Sequence, residues 1–291
     1  MSWLRTANAV LEKSTGLRLA KAHPSPADRP AGTSGGTVAE SARPPADPEH
    51  DRLLKAPVFI FSCPRSGSTL LRVLLNSHSQ LYAPHETHIR TLYVRQPSRT
   101  GVRAMKAFGH NRADIEHLLW DRVLHRELTR SGKPTLVEKT PSNVFVSDRL
   151  ATCWPDARFL TLLRHPCSVA RSWHEADPEK RPMERAVPHA LKYAEAVERT
   201  RQRHDTLTVR YEDLTEDPEQ ETRRICTFLG VPWEEGMLDY GTDGHGSFSK
   251  GLGDWRDKIR TGSVQRGRPL PTIEETPEML RPIARTWGYS D

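Results

Sequence analysis

Cysteine is scarce in this chain of 291 residues, and the four that occur stand far apart. None of them forms a C-x-x-C pair, and no Cys/His pattern has the spacing of a zinc site. Structural zinc and a disulfide framework are therefore not expected. Reduced thiols suggest a cytoplasmic protein. The four positions are Cys63, Cys153, Cys167 and Cys226.

Long hydrophobic runs are also lacking. No run of about 18 apolar residues exists, so we expect no membrane-spanning helix, and the N-terminus lacks the apolar core of a secretory signal. The mean hydropathy of −0.66 predicts a soluble chain, which is long enough to bury a full core. The formal net charge of +6 suits an anionic ligand such as a phosphorylated nucleotide. Nucleic acid is not an expected partner, because the basic residues are dispersed and no recognition module stands out.

The first 55 residues differ in composition from the rest. Residues 1–22 can form a short basic amphipathic helix, which would dock on the domain or touch an anionic membrane surface peripherally. Residues 23–50 are rich in Pro, Ala, Gly and Ser, as flexible linkers are. We therefore predict an N-terminal segment and linker over residues 1–55 and one folded domain over residues 56–291.

Within that domain, short apolar runs alternate with helix-like segments. The predicted strands are Val58–Ser62, Thr135–Glu138, Arg158–Leu163 and Leu207–Arg210. The predicted helices cover residues 112–130, 142–151, 167–175, 184–204 and 218–229. Such alternation predicts a three-layer α/β fold, with a central parallel sheet flanked by helices. Ligands of such sheets bind beyond the carboxyl ends of the strands.

The most informative segment directly follows the first predicted strand. A loop of small, hydroxylated and basic residues leads there into an apolar helical pattern. Such a loop binds anions, because backbone N–H groups and the positive end of the helix dipole converge on it. We therefore predict a P-loop-like phosphate site. Its candidate residues are Arg65, Ser66, Gly67, Ser68 and Thr69.

An ordinary nucleoside triphosphatase would need G-x-x-x-x-G-K-[ST] at this place. Here Gly67 is the one glycine of the loop, no lysine occurs in it, and the charge comes from Arg65. A nucleotide kinase or triphosphatase therefore remains an alternative, although no carboxylate suited to Mg²⁺ stands out. A second anion site is indicated by Arg164, at the end of a predicted strand, and Ser172, eight residues on in the next helix.

The loop Pro64–Leu71 resembles the 5′-phosphosulfate loop of sulfotransferases, in the P-R-S-G-[ST]-T-L-L form of the tyrosylprotein and many bacterial members. Arg164 and Ser172 are similar to the pair that binds the donor's 3′-phosphate in this family. The block from Val209 onward resembles its Y-E-D-L…D-P…F-L-G block, in which the tyrosine, here Tyr211, lies beside the adenine. The segment Ser249–Arg256, with Lys250 and Gly251, resembles the loop that closes over the 3′-phosphate, although Ser249 stands where the family usually has arginine.

The resemblance implies a P-loop-like sulfotransferase that uses 3′-phosphoadenosine 5′-phosphosulfate (PAPS) as co-substrate and no metal. The transferred sulfuryl group would go to a hydroxyl, or with less support an amine, of a small-molecule, carbohydrate or glycolipid acceptor. Arg65 would act on the 5′-phosphate and the bridging oxygen. A non-catalytic protein that binds the nucleotide remains a further alternative.

The catalytic base is the point at which the sequence departs from one branch of the family. Small-molecule sulfotransferases carry a histidine in a K-T-H motif, but this chain has Pro141 after Lys139 and Thr140. Glu86 followed by threonine matches the E-T of the tyrosylprotein branch. We therefore expect Glu86 as general base and Lys139 as the cation that stabilises the transferring group. Two alternatives stay open: Glu86 pairs with a basic neighbour and does no more, or a neighbouring histidine is the base. The candidate histidines are His85 and His88.

Overall fold

A computed structural model describes residues 42–241 and 262–289. The predicted amphipathic segment 1–22 and the segment Ser249–Arg256, including Lys250 and Gly251, lie outside the described residues. Ahead of the first strand, the chain already contacts the body of the protein. The backbone N–H groups of Leu53 and Leu54 donate to the Asp121 carboxylate, and Leu54 is fully buried.

A parallel sheet of five strands forms the centre of the described chain. In chain order the strands are β1 (Val58–Ser62), β2 (Leu81–Tyr82), β3 (Thr135–Glu138), β4 (Arg158–Leu163) and β5 (Thr206–Arg210). Their order across the sheet is β2-β3-β1-β4-β5, and every pairing is parallel. In the register of the central pair, Ser62 lies opposite Leu162. The carboxyl ends of β1 and β4 therefore lie side by side.

Ten α-helices connect or flank these strands in the described residues. They are α1 (Pro48–Asp51), α2 (Ser68–Ser77), α3 (Arg99–Ala107), α4 (Arg112–Ser131), α5 (Ser147–Cys153), α6 (Pro166–His174), α7 (Met183–Arg203), α8 (Tyr211–Glu216), α9 (Pro218–Leu229) and α10 (Arg281–Thr286). Short 3₁₀ turns occur at Ile89–Thr91, Pro141–Val146, Glu235–Met237 and Glu278–Leu280. No helix in these residues combines the length and apolar character needed to cross a bilayer.

Alternate side chains of β1 enter two separate apolar cores, one on each face of the sheet. Phe59 and Phe61 pack with the helical layer of α4 to α7, where the Phe59 ring lies 5.5 Å from that of Trp154. Val58 and Ile60 pack with α2 and α9 on the other face. All five residues of β1 are buried, as expected for a strand covered on both faces. The predicted three-layer α/β fold is thus confirmed.

The predicted elements agree with the structure where the local signals are strong. At α9, the Asp217 side chain caps the helix by accepting the N–H of Gln220, and Gly230 ends it at φ +67°. The predicted helix 142–151 is wrong in its first half. A 3₁₀ turn occupies Pro141–Val146 and the α-helix begins at Ser147. Five elements were not predicted, each of them short or poor in buried side chains: β2, α1, α3, α8 and α10.

All four cysteines are free, buried thiols, and three of them, Cys63, Cys153 and Cys226, belong to these cores. Burial raises the pKa of Cys63 and of Cys153 to about 12, and that of Cys226 to about 11. Cys63 directly precedes the phosphate loop, at the end of β1. None of these thiols is therefore appreciably ionised at neutral pH.

Candidate active site

The loop between β1 and α2 has an unusual backbone. Arg65 and Gly67 both lie in the left-handed region, at φ +68° and +85°, and Gly67 is the N-cap of α2. Turns of this kind bring successive N–H groups to one side and form an anion-binding concavity. The loop residues Ser66, Ser68 and Thr69 are buried, so the concavity is part of the packed fold.

Gly67 also brings the loop into contact with the start of α8. A Cβ built at this position would lie 2.2 Å from Cδ2 of Tyr211. The ring therefore packs directly on the glycine backbone, and no larger residue fits without moving it. Two segments that are 144 residues apart in the sequence form one wall in this way.

The second predicted anion site joins the first. Nη1 of Arg164 donates to the carbonyl oxygen of Arg65 over 2.7 Å, and Nε of Arg65 lies 3.4 Å from Oγ of Ser172. Cζ of Arg164 lies 4.4 Å from the centroid of the Tyr211 ring, a cation–π contact. We call Arg65, Gly67, Arg164, Ser172 and Tyr211 the phosphate-loop cluster.

Arg164 is a half-buried cation without a carboxylate at ion-pair distance among the described residues, and its Nε atom is fully buried. Its Nε has no hydrogen-bond partner there, and burial lowers its pKa. A buried guanidinium donor without a partner is costly, and phosphate oxygens would satisfy it with charge-assisted hydrogen bonds. This orphaned donor and the concave loop beside it fit a phosphorylated nucleotide.

A second group of charges surrounds the end of β3. Nζ of Lys139 lies 2.6 Å from Oε1 of Glu86, and the lysine side chain is fully buried. Burial lowers the pKa of Lys139, and Glu86 opposes this shift. Arg72 of α2 is also buried and donates to the carbonyl of Ala83 over 3.0 Å. Burial lowers its pKa to about 10, against the attraction of Glu86. The Glu86 carboxylate thus lies near two buried cations.

Glu138, beside Lys139, fixes this arrangement. Its buried carboxylate accepts five hydrogen bonds, from the backbone and hydroxyl of Thr87, the backbone and hydroxyl of Thr140, and the amide of Asn143. The hydroxyl distances are 2.7 Å for Thr87 and 2.6 Å for Thr140. Glu138 thereby ties the segment that carries Glu86 to the strand end that carries Lys139. We call Arg72, Glu86, Glu138, Lys139 and Thr140 the carboxylate cluster.

The two alternative histidine bases differ in their position. Nε2 of His88 lies 3.6 Å from Oε2 of Glu86, and His88 lines the same cleft as Glu86. His85 is exposed, and its Nδ1 contacts the carbonyl oxygen of Glu86. His88 is therefore the better placed of the two. Glu86 does pair with a basic neighbour, as one alternative requires, but it also lines the cleft.

A single cleft of about 630 Å³ connects the two clusters. Eight of the predicted site residues line it: Arg65, Gly67, Ser68, Thr69, Glu86, Arg164, Ser172 and Tyr211. Ser66 and Lys139 are buried behind this lining. Lys139 is connected to the cleft by its ion pair with Glu86, which lines it. Sequence reasoning missed Arg72 and Glu138. Arg72 had a usable signal, because it is a charged residue among the apolar positions of α2, three residues after Thr69.

The fold is that of the doubly wound α/β proteins, and the loop after its first strand has the geometry of an anion-binding concavity. Residues 57–235 match the sequence profile of the Sulfotransferase family. Since that match covers more than half of the chain, the protein belongs to the sulfotransferase family.

Individual relatives agree with this assignment. Nodulation protein NoeE of Sinorhizobium fredii is 30% identical over 206 residues, which are 59% of this chain and 49% of NoeE. Protein-tyrosine sulfotransferase 2 of Gallus gallus is 28% identical over 214 residues, 63% of this chain and 53% of that protein. The chain thus spans about half the length of these relatives. The solved sulfotransferase domain from the curacin biosynthetic pathway shares the fold, with a TM-score of 0.59 at 22% identity over 81% of this chain and 99% of that domain.

Proposed function

We propose that this protein transfers a sulfuryl group from PAPS to a hydroxyl of a small-molecule, carbohydrate or glycolipid acceptor. The observation that carries the proposal is the shared cleft. It joins a cationic phosphate loop to a carboxylate paired with a buried lysine. The match to the sulfotransferase family supports PAPS, rather than ATP, as the nucleotide for that loop.

The phosphate-loop cluster would bind the donor. The N–H groups at the start of α2, with the hydroxyls of Ser68 and Thr69, suit the 5′-phosphate. Arg164 and Ser172 suit the 3′-phosphate, and the ring of Tyr211 is available beside the base. Lys250 and Gly251 remain proposed donor contacts on the strength of the resemblance alone.

When bound, PAPS would supply the sulfuryl group for transfer, and the 5′-phosphate to which that group is attached would be the leaving group. Glu86 would accept the proton of the acceptor hydroxyl, for which its position on the cleft wall is suited. Lys139 and Arg65 would supply positive charge where negative charge develops, at the transferring group and the leaving phosphate. With these cations in place the proposed mechanism needs no metal.

A hydroxyl acceptor is favoured over an amine. One relative is by its name a protein-tyrosine sulfotransferase, and the reactive group of tyrosine is a hydroxyl. A carboxylate base also suits a hydroxyl, whose proton must be removed during transfer. The proposed compartment is the cytoplasm, which is consistent with four free, buried thiols.

Calorimetric titration with 3′-phosphoadenosine 5′-phosphate and, separately, with ATP tests the donor class. We expect micromolar or tighter binding of the bisphosphate and much weaker binding of ATP. Preference for ATP would support the kinase or triphosphatase alternative and overturn the proposal. Binding of the bisphosphate, with no transfer from labelled PAPS to any acceptor in a broad screen, would favour the non-catalytic alternative.

A further inference from the structure

The segment from His88 to Arg112 carries an unbalanced charge. It contains five arginines and one lysine but no aspartate or glutamate, so its formal charge of +6 equals that of the whole chain. The basic residues are Arg90, Arg95, Arg99, Arg103, Lys106 and Arg112. We call residues 88–112 the basic segment.

Helix α3 arranges part of this charge on one face. Arg99, Arg103 and Lys106 follow one another at spacings of four and three residues, which places them on the same side of a helix. No residue of α3 is buried. A helix of nine residues with no buried side chain gains little from packing against its own protein.

The basic segment is nevertheless held in place. Nε1 of Trp120 donates to the carbonyl of Leu92 over 2.8 Å, and the N–H of Val94 donates to Glu116 over 3.1 Å. Glu116 also pairs with Arg149, and Asp114 pairs with Arg43. Arg112 of the segment is itself paired with Glu116, over 3.5 Å, so the proposal below uses the cations ahead of it, Arg95, Arg99 and Arg103.

Exposed apolar side chains lie among these cations. Tyr93 is 63% exposed and Phe108 is 74% exposed, and Leu92 is exposed as well. Large apolar groups with such exposure, interleaved with arginine and lysine, match the composition of surfaces that lie in a membrane interface. An anionic polymer would neutralise the cations but would leave these side chains in water.

We propose that the basic segment binds the anionic headgroups of a lipid membrane. Arginine and lysine would attract the headgroups, and Tyr93 and Phe108 would enter the boundary between headgroups and acyl chains. The surface starts at the cleft, because His88 lines the cleft and Arg90 is bonded to Ser142, another lining residue. Binding would require neither nucleotide nor turnover, so its failure is separable from failure of the proposed function.

Vesicle co-sedimentation with the full chain tests the proposal. We expect binding to phosphatidylcholine vesicles that contain about one third phosphatidylglycerol, and little binding to pure phosphatidylcholine. The variant R95Q/R99Q/R103Q should bind about 100-fold more weakly, since each arginine near an anionic surface contributes about fivefold. The variant Y93S/F108S should bind the charged vesicles about tenfold more weakly than the wild type. This loss of affinity should persist at high salt, where electrostatic attraction is screened.

The variant R122Q/R126Q/R285Q is the matched control, because it removes the same charge from exposed helical arginines outside the basic segment. It should bind as the wild type does. Equal binding of wild type and R95Q/R99Q/R103Q would overturn the proposal, as would equal binding to charged and uncharged vesicles. Binding to heparin but not to the charged vesicles would also overturn it. Salt dependence of the wild type is informative even if a variant fails to fold, since attraction to headgroups must weaken as salt rises.

Discussion

The phosphate-loop cluster and the carboxylate cluster share a cleft but differ in how their charges are satisfied. In the first, Arg164 has no carboxylate partner among the described residues, and its buried Nε has no hydrogen bond there. In the second, Glu86 pairs with Lys139 at 2.6 Å, and the carboxylate of Glu138 accepts five hydrogen bonds.

The difference follows from the source of the charge that would neutralise each cluster. A site for a phosphorylated ligand can leave its cations unpaired, because the ligand brings negative charge with it. A buried acid and base that act on an uncharged hydroxyl receive no such help, and an unpaired charge there costs several kcal/mol. Ligand binding should therefore depend on the first cluster and turnover on the second.

The largest effect is expected at Lys139. In Lys139→Met the cation at the transferring group is lost, and transfer should fall about 1,000-fold. Affinity for 3′-phosphoadenosine 5′-phosphate should stay nearly constant, as calorimetry beside a labelled-PAPS assay would show. Lys133→Met is the matched control, since Lys133 bonds to three backbone carbonyls and should affect stability alone. An equal loss of bisphosphate affinity in Lys139→Met would remove the distinction between the clusters.

Replacement of Glu86 separates the two candidate bases. Glu86→Gln should lower turnover by about 100- to 10,000-fold, because the proton acceptor is lost. His88→Asn should lower it less than about tenfold, because the imidazole would then contribute to positioning alone. Both variants are measured on one acceptor across pH. A larger loss in His88→Asn than in Glu86→Gln would assign the base to the histidine.

Arg164→Ala should weaken the binding of 3′-phosphoadenosine 5′-phosphate. We expect the Kd for the bisphosphate to rise by about 30- to 1,000-fold, the range for loss of a buried charged contact. Arg268→Ala is the control, because Arg268 also lines the cleft but is already paired with Glu175. It should change the Kd by less than about threefold, as exposed pairs contribute little. Wild-type affinity in Arg164→Ala would disprove its role at the 3′-phosphate.

A pair of glycines tests the packing of the phosphate loop. Gly67→Ala should lower the free energy of unfolding by about 1–2 kcal/mol for its positive φ alone, and further because Tyr211 must move. Gly109 has nearly the same φ, +83°, with nothing within 4 Å of a built Cβ, so Gly109→Ala measures the backbone cost by itself. Chemical denaturation gives both values. Equal costs would mean that the contact with Tyr211 contributes nothing to stability.

The last prediction concerns the stability of the protein at acid pH. His165 is buried, and its Nδ1 caps α6 by accepting the N–H of Cys167. Burial and the nearby Arg171, Arg210 and Arg164 lower its pKa to about 4. Between pH 6.5 and 4 the unfolded chain therefore binds a proton that the folded chain does not, so stability is lost as the pH falls.

From pH 7 to pH 5 this histidine should account for about 2 kcal/mol of lost stability. His165→Asn keeps a neutral cap and should remove that part of the pH dependence. Equilibrium denaturation at several pH values measures it. His117, also with a pKa lowered to about 4, should keep its own contribution in the variant. An unchanged pH dependence would show that His165 does not titrate in this range.

Sequence reasoning predicted the architecture well because the two central strands, β1 and β4, are nearly continuous apolar runs. Caps such as Asp217 and Gly230 lie next to the helix ends that they specify. The residues of the phosphate-loop cluster could be named from the sequence for a similar reason. Arg164 directly follows β4, and Arg65 comes three residues after the end of β1, the strand paired with β4.

The carboxylate cluster was only half predictable. Glu86 and Lys139 could be named through a resemblance, but the hydrogen bonds of Glu138 join residues that are 51 positions apart. Burial of Arg72 depends on the same long-range packing. Local pattern carries no information on such contacts, which arise when the segment after β2 folds against the end of β3.

The four buried thiols allow local unfolding of the protein to be measured at its native cysteines. A thiol-labelling reagent reacts with the thiolate, and a pKa of about 12 at Cys63 leaves almost none of it in the native state. The rate at which each cysteine is labelled therefore reports how often the structure around that cysteine opens. Mass spectrometry of labelled peptides would then compare the floor of the phosphate loop at Cys63 with α9 at Cys226, without introducing any probe.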